Sequence, residues 1–228
     1  MQKKVNKSLI TWISTASVAL LSFVVIAILV MCDYNFKIDK FNVVVANNRS
    51  GFWTSFLKIF THFGSFYILA VLALIGVILI RFVMKNKRMS AFYAGTFAIV
   101  CIANFVIKQI VRRIRPEHLM IIEETGFSFP SGHAMMTTAF FALVIHFVWK
   151  TIRNKSLKIT LISLFSAIVV LMGFSRIYLG VHYLTDILAG FLISFAIVVV
   201  CLIVYNTKLF KLLKDKEIVT IIDNETEE

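Results

Sequence analysis

Apolar runs long enough to cross the roughly 30 Å hydrocarbon core of a bilayer as helices recur along this chain. Nothing else in the sequence constrains the fold as strongly. With 59% of its 228 residues hydrophobic, a mean hydropathy of +0.87 and only two prolines, a soluble domain of this length could not hide its apolar surface. The expected fold class is therefore all-α: a polytopic membrane bundle of six transmembrane helices.

In chain order, the first span covers about Leu9–Cys32 behind Lys3, Lys4 and Lys7. It is too long for the apolar part of a signal peptide and lacks a small-x-small cleavage site, so it reads as an uncleaved span. Residues 33–62 mix Asp33, Lys37, Asp39, Lys40 and Arg49 with Phe36, Phe41, Phe52, Trp53 and Phe56. That mixture suits an outer connector lying in the membrane interface, where aromatic rings sit at headgroup level. Further spans are expected over about Phe63–Val83, Ala91–Val111, Pro130–Trp149, Ile159–Phe174 and Thr185–Tyr205. Residues 63–205 thus form a core of five spans, and 206–228 a tail that starts basic and ends acidic. The whole of 1–228 reads as one membrane domain. Cys32, Cys101 and Cys201 lie in or beside apolar runs and read as packing residues.

A net charge of +12 on a soluble protein would point to nucleic acid. Here membrane topology explains it instead, because the basic residues gather in short segments between spans. Most of the 24 lysines and arginines fall before the first span, in 81–88, in 150–158 and in the tail. The positive-inside bias then puts both termini and the tail in the cytoplasm. No nucleic-acid partner is expected. The spans show no Gly-x-x-x-Gly pairing face, so the sequence leaves the oligomeric state open.

On this topology three polar stretches share the outer face. Lys108 to Arg115 closes the third span, Pro130-Ser131-Gly132-His133 opens the fourth, and Ser175 to Asp186 joins the fifth to the sixth. Titratable groups at such depth are costly and mark a functional site by default. His182 and Asp186, four apart, share a face if a helix begins there, and a carboxylate can then hold one imidazole nitrogen and leave the other free to attack. Arg176 offers a planar fork suited to an oxyanion. Lys108 and Arg115, seven apart, share a face on a continued helix that Pro116 would end. Ser131 can cap the fourth span, whose free N–H groups favour a phosphate, and His133 in its first turn is placed to protonate a leaving oxygen.

These stretches, Lys-x6-Arg-Pro, Pro-Ser-Gly-His and Ser-Arg-x5-His-x3-Asp, resemble the signature of the type 2 phosphatidic acid phosphatase superfamily. That group of lipid-phosphate phosphatases shares its site architecture with vanadium haloperoxidases and glucose-6-phosphatase. The resemblance spans about residues 63–205. It implies that His182 forms a phosphohistidine, that Asp186 orients it, and that His133 serves as acid and then base. It further implies that Lys108, Arg115, Ser131, Gly132 and Arg176 hold the phosphoryl oxygens, with neither metal nor cofactor. Arg112 and Arg113 are expected to contact headgroups or solvent, and Glu117, Glu123 and Glu124 to lie in a solvated loop. His62, His118 and His146 lack comparable partners and read as structural.

The expected function is hydrolysis of a lipid phosphate at an extracytoplasmic site in a cell membrane. Undecaprenyl diphosphate is the first substrate expected, because a compact chain with short loops resembles bacterial members of the family. Phosphatidic acid, phosphatidylglycerophosphate or diacylglycerol diphosphate is the alternative. A transporter or scaffold that only binds phosphate is the rival outside the class. The Lys, Asn, Ile and Phe richness is compatible with a low-GC bacterium.

Overall fold

The structure, a computed structural model, describes residues 7–207. Lys3, Lys4 and the tail from residue 208 onward, with the expectations attached to them, lie outside the described residues. The chain opens with α1 (Lys7–Met31). The connector then forms a 3-10 turn at Lys37–Lys40 and two short helices, α2 (Phe41–Asn47) and α3 (Gly51–His62). α4 (Phe66–Ile78) continues through a π-helical turn at Leu79–Val83 and is followed by α5 (Lys87–Val111), α6 (Gly132–Thr151), α7 (Lys155–Tyr178) and α8 (Leu184–Asn206). Six of these helices are long and apolar enough to cross a membrane, as the hydropathy predicts.

Local chemistry sets several of the starts. Asn86 and Asn154 accept hydrogen bonds from Met89 N (2.9 Å) and Leu157 N (3.0 Å), and Ser131 accepts one from Ala134 N (3.4 Å). Each cap satisfies an amide that the first turn leaves without a partner. α8 lies between α1 and α6, and α6 also touches α4, α5 and α7. Phe23, Leu69, Val100, Met135, Ala139 and Ala189 form the buried seam. Helices in lipid gain little from hydrophobic burial against one another, so close approach matters more. A Cβ at Gly190 would stand 3.0 Å from Ala134 Cβ and 3.1 Å from the Ser131 carbonyl, so α8 presses on the start of α6.

Because the spans alternate in direction, the ends of α5 and α7 and the starts of α6 and α8 meet at one end of the bundle. The connector between α1 and α4 lies over that same end. Two helix ends differ from expectation, and both bear on the site. α7 runs through Tyr178 instead of stopping near Phe174, which puts Ser175 and Arg176 on its last turn. α5 stops at Val111, where Arg112 takes a left-handed conformation (φ +52°), so Pro116 is not its terminator and Arg115 is off the helix.

α7 ends in a Schellman turn. Gly180 N donates to Ile177 O (3.0 Å) and Val181 N to Arg176 O (3.1 Å), with Gly180 at φ +76°. This reversal brings His182 back beside the helix that carries Arg176. Only glycine fits, since a Cβ at residue 180 would meet the Leu119 carbonyl oxygen at 1.9 Å. Arg49 locks the same corner, donating to Tyr178 O and Leu119 O, both at 2.7 Å. Gly180→Ala combines a left-handed backbone penalty with this clash and should cost more than about 2 kcal/mol. The measurement is thermal unfolding in detergent; a melting temperature equal to that of the native protein would show that the corner is not tightly held.

Candidate active site

His182 and Asp186 form the centre. His182 sits two residues before α8 begins, so the two do not share a helical face as the spacing suggested; they meet across the turn that starts the helix. His182 Nδ1 lies 3.4 Å from Asp186 Oδ2, and that oxygen also accepts from Tyr183 N (2.9 Å), reaching back over the first turn. Both side chains are buried. His182 Nε2 is 3.2 Å from Arg115 Nη1. A guanidinium is only a donor, so Nε2 carries the lone pair and Nδ1 the proton that Asp186 accepts. Burial, then the charges of Arg115, Lys108 and Arg176, push the His182 imidazole well below its ordinary pKa. It is therefore neutral near pH 7, with its lone pair on Nε2.

Asp186 is tied down from two further directions. Arg113 Nη1 donates to Asp186 Oδ1 and to Thr185 Oγ1, both at 2.7 Å, while Nη2 donates to Asp39 Oδ2 at 2.8 Å. The same guanidinium stacks 4.0 Å from the Tyr183 ring centroid. Burial weakens the hold of Arg113 on its proton, but Asp186 and Asp39 outweigh that and raise its pKa. Ser131 N donates to the Asp186 backbone carbonyl (3.2 Å), joining the start of α6 to α8.

The connector caps α8 from outside. Asp39 Oδ1 accepts from Thr185 N (2.9 Å) and Asn42 Oδ1 from Leu184 N (3.2 Å), while Asn42 Nδ2 donates to His182 O (2.6 Å). First-turn amides of α8 thus find partners some 140 residues away, and the acid at residue 39 suits the positive end of the helix.

The expected anion ligands converge on this centre. Arg115 donates to Gly126 O (2.9 Å), Val181 O (2.8 Å) and Thr125 O (3.0 Å), which fixes its fork toward His182. Burial lowers its pKa, with Glu124 and Asp186 offsetting part of the effect. Lys108, on the last turn of α5, reaches Phe127 O and lies within Coulombic reach of Arg115, Arg176 and Asp186. Lys108 and Arg115 therefore meet through the fold of the loop and not through a shared helical face. Arg176 is 1% exposed; Nη1 donates to Thr61 Oγ1 (2.6 Å) and Nη2 to Glu124 Oε1. His133, on the first turn of α6, lies within Coulombic reach of Arg176, His182, Arg115 and Lys108. Gly132 opens that helix directly behind the Ser131 cap. Among the described residues, no three His, Cys, Asp or Glu side chains cluster in a way that could hold a metal.

Two further expectations are corrected. Arg113 is not a headgroup or solvent arginine, because it is bonded to Asp186 and Asp39. Glu124 is not simply solvated, because it pairs with Arg176 and stands 3.8 Å from Arg115. Asp39, Asn42, Arg49 and Thr61 belong to the site's support without any motif to mark them. The signals present were slight: an acid, an amide and an arginine within an otherwise aromatic connector.

A protein-family comparison matches residues 89–210, more than half of the chain, to the PAP2 superfamily. The chain belongs to the PAP2 superfamily. It is similar to phosphatidylglycerophosphatase B of Bacillus subtilis, 37% identical over 89 residues, which are 39% of this chain and 44% of that relative. The Escherichia coli phosphatidylglycerophosphatase B is 38% identical over 78 residues, 34% of this chain and 29% of the relative. Decaprenylphosphoryl-5-phosphoribose phosphatase of Mycobacterium tuberculosis is 37% identical over 136 residues, 57% of this chain and 68% of that protein. The chain thus spans less than half the length of the phosphatidylglycerophosphatases it matches. A crystal structure of a transmembrane PAP2-type phosphatidylglycerolphosphate phosphatase from Bacillus subtilis shares the fold, with a TM-score of 0.72, 24% identity, and coverage of 82% of this chain and 94% of that one. The chain is a multi-pass membrane protein of this superfamily.

Removing Arg113 leaves the Asp186 carboxylate buried without its strongest partner. Arg113→Met should therefore destabilise the protein by about 3 kcal/mol, against less than about 1 kcal/mol for Arg112→Met on the neighbouring exposed residue. Unfolding in detergent reads the difference. Equal costs for the two would mean that Asp186 does not depend on Arg113.

Proposed function

We propose that the protein is a membrane lipid-phosphate phosphatase that works through a phosphohistidine on His182. The observation that carries this reading is the state of one imidazole: Nδ1 held by a buried carboxylate, Nε2 unprotonated and facing Arg115, and three cationic side chains around it. A phosphoryl group bound between Arg115, Arg176 and Lys108 takes the donor now facing Nε2 and frees its lone pair. Nε2 then attacks phosphorus as the bond to the lipid oxygen breaks, and His133 gives that oxygen its proton. Asp186 offsets the positive charge that develops on the ring. In the second half, water attacks phosphorus, His133 accepts its proton, and the bond from Nε2 to phosphorus breaks to release phosphate. The start of α6, where Gly132 follows the Ser131 cap, supports the phosphoryl oxygens through the Gly132 amide and the helix's positive end, while the Ser131 amide stays on the Asp186 carbonyl. The cations supply the charge stabilisation that phosphoryl transfer needs, in a site largely closed to water.

For the lipid, we favour a glycerolipid phosphate such as phosphatidylglycerophosphate over undecaprenyl diphosphate. The names of the phosphatidylglycerophosphatase relatives support this preference. The mycobacterial relative acts, by its name, on a decaprenyl-linked phosphate and supports a polyprenyl phosphate as the second reading. We place the site on the extracytoplasmic face of a bacterial cell membrane, since Arg81, Lys85, Lys87, Arg88, Lys150, Arg153, Lys155 and Lys158 all fall at the opposite end of the spans. In this orientation residues 33–62 lie in the outer interface as a cover over the core of 63–205.

The test is phosphate release in detergent with EDTA present, comparing phosphatidylglycerophosphate with undecaprenyl diphosphate for native protein and His182→Ala. Native protein should hydrolyse the glycerolipid faster, and the variant should lose at least about a thousandfold. Faster turnover of undecaprenyl diphosphate would reverse the lipid preference. Activity that survives in His182→Ala would overturn the mechanism.

A further inference from the structure

The cationic cluster already contains an anion of the protein's own. Glu124, on the loop between α5 and α6, sets Oε1 against Arg176 Nη2 and Oε2 3.8 Å from Arg115 Nη2. Lys108 also lies within its Coulombic reach. The arginine is 1% exposed while the Glu124 side chain is 27% exposed, so the cation is fixed and the carboxylate is at the edge.

The pairing is incomplete. Arg176 Nη1 is bonded to Thr61, but its buried Nε has no hydrogen-bond partner. A buried guanidinium donor without a partner carries a desolvation cost, and the arrangement that satisfies Nε together with Nη2 is a two-pronged contact to one oxyanion. Glu124 serves one prong only. Beside it opens a cleft of about 870 Å³ lined in part by Met120, Ile122 and Thr125, which leaves the carboxylate somewhere to go.

We propose that Glu124 is a built-in competitor for the phosphate subsite, holding Arg176 and Arg115 until a phosphate displaces it. This deepens the phosphatase reading and rests on it for the identity of the ligand. Its consequence is a threshold. Displacing Glu124 penalises every anion by the same factor. A terminal phosphomonoester, with close to two charges, still binds; a phosphodiester headgroup, with one charge, gains little over the carboxylate it would replace. In a bilayer crowded with phosphodiester lipids, that threshold keeps the site free for phosphomonoesters.

Calorimetric titration of the full chain in detergent with inorganic phosphate tests this for native protein, Glu124→Gln and Glu124→Ala. Both variants should bind phosphate at least about tenfold more tightly, because a competing charge is gone. If Glu124 instead served to position the arginines, binding would weaken, most in Glu124→Ala. Unchanged or weaker binding in either variant, or no measurable binding by any of the three proteins, overturns the proposal. The titration requires no turnover. Tighter binding by variants of a protein that hydrolyses no lipid phosphate would therefore uphold the competitor and defeat the phosphatase reading.

Discussion

The site depends on one buried carboxylate. Asp186 receives Arg113, the Tyr183 amide and the His182 ring, and its own carbonyl receives the Ser131 amide. Through these contacts it joins the loop after α5, the start of α6 and the turn before α8. A charge of this kind is tolerable so deep only when its lone pairs are filled and an opposite charge is close. That requirement explains why Arg113 is locked between two carboxylates, Asp186 and Asp39. It also explains why the connector, remote in sequence, is drawn over the end of the bundle.

The two neighbouring arginines show how environment separates roles. Arg113 spends its donors on Asp39, Asp186 and Thr185 and has its proton held more tightly. Arg115 is aimed by backbone carbonyls and faces His182, with its nearest carboxylate at 3.8 Å and its pKa lowered. The first is a support for a charged neighbour; the second has charge to offer an incoming anion. Arg176 resembles the second, with a buried guanidinium that Thr61 and Glu124 only partly satisfy.

Much of this was legible in the sequence, for physical reasons that differ from residue to residue. The spans were legible because hydrocarbon demands long apolar runs, and the alternation of direction then placed Lys108, Ser131, Arg176 and His182 at one end of the bundle. The contact geometry was less accessible. Spacing placed His182 and Asp186 on a common helix, whereas Asp186 reaches back from the third residue of α8. Spacing likewise extended α5 to Arg115, whereas Arg112 ends it by turning left-handed, a conformation no local motif announces. Asp39, Asn42, Arg49 and Thr61 act across 70 or more residues, and such partners have no periodicity to betray them. Glu124 read as a loop acid because its partner, Arg176, stands 52 residues away on the last turn of α7.

The central claim is covalent: phosphate passes through His182 Nε2. Its most direct measurement is to mix the protein with a phosphate-labelled lipid, quench in alkali during turnover, and map the label by mass spectrometry. A phosphate that survives alkali, is lost in acid, and lies on the peptide containing His182 is the predicted result. Steady turnover with no label on that peptide, or a label on another residue, would contradict the account.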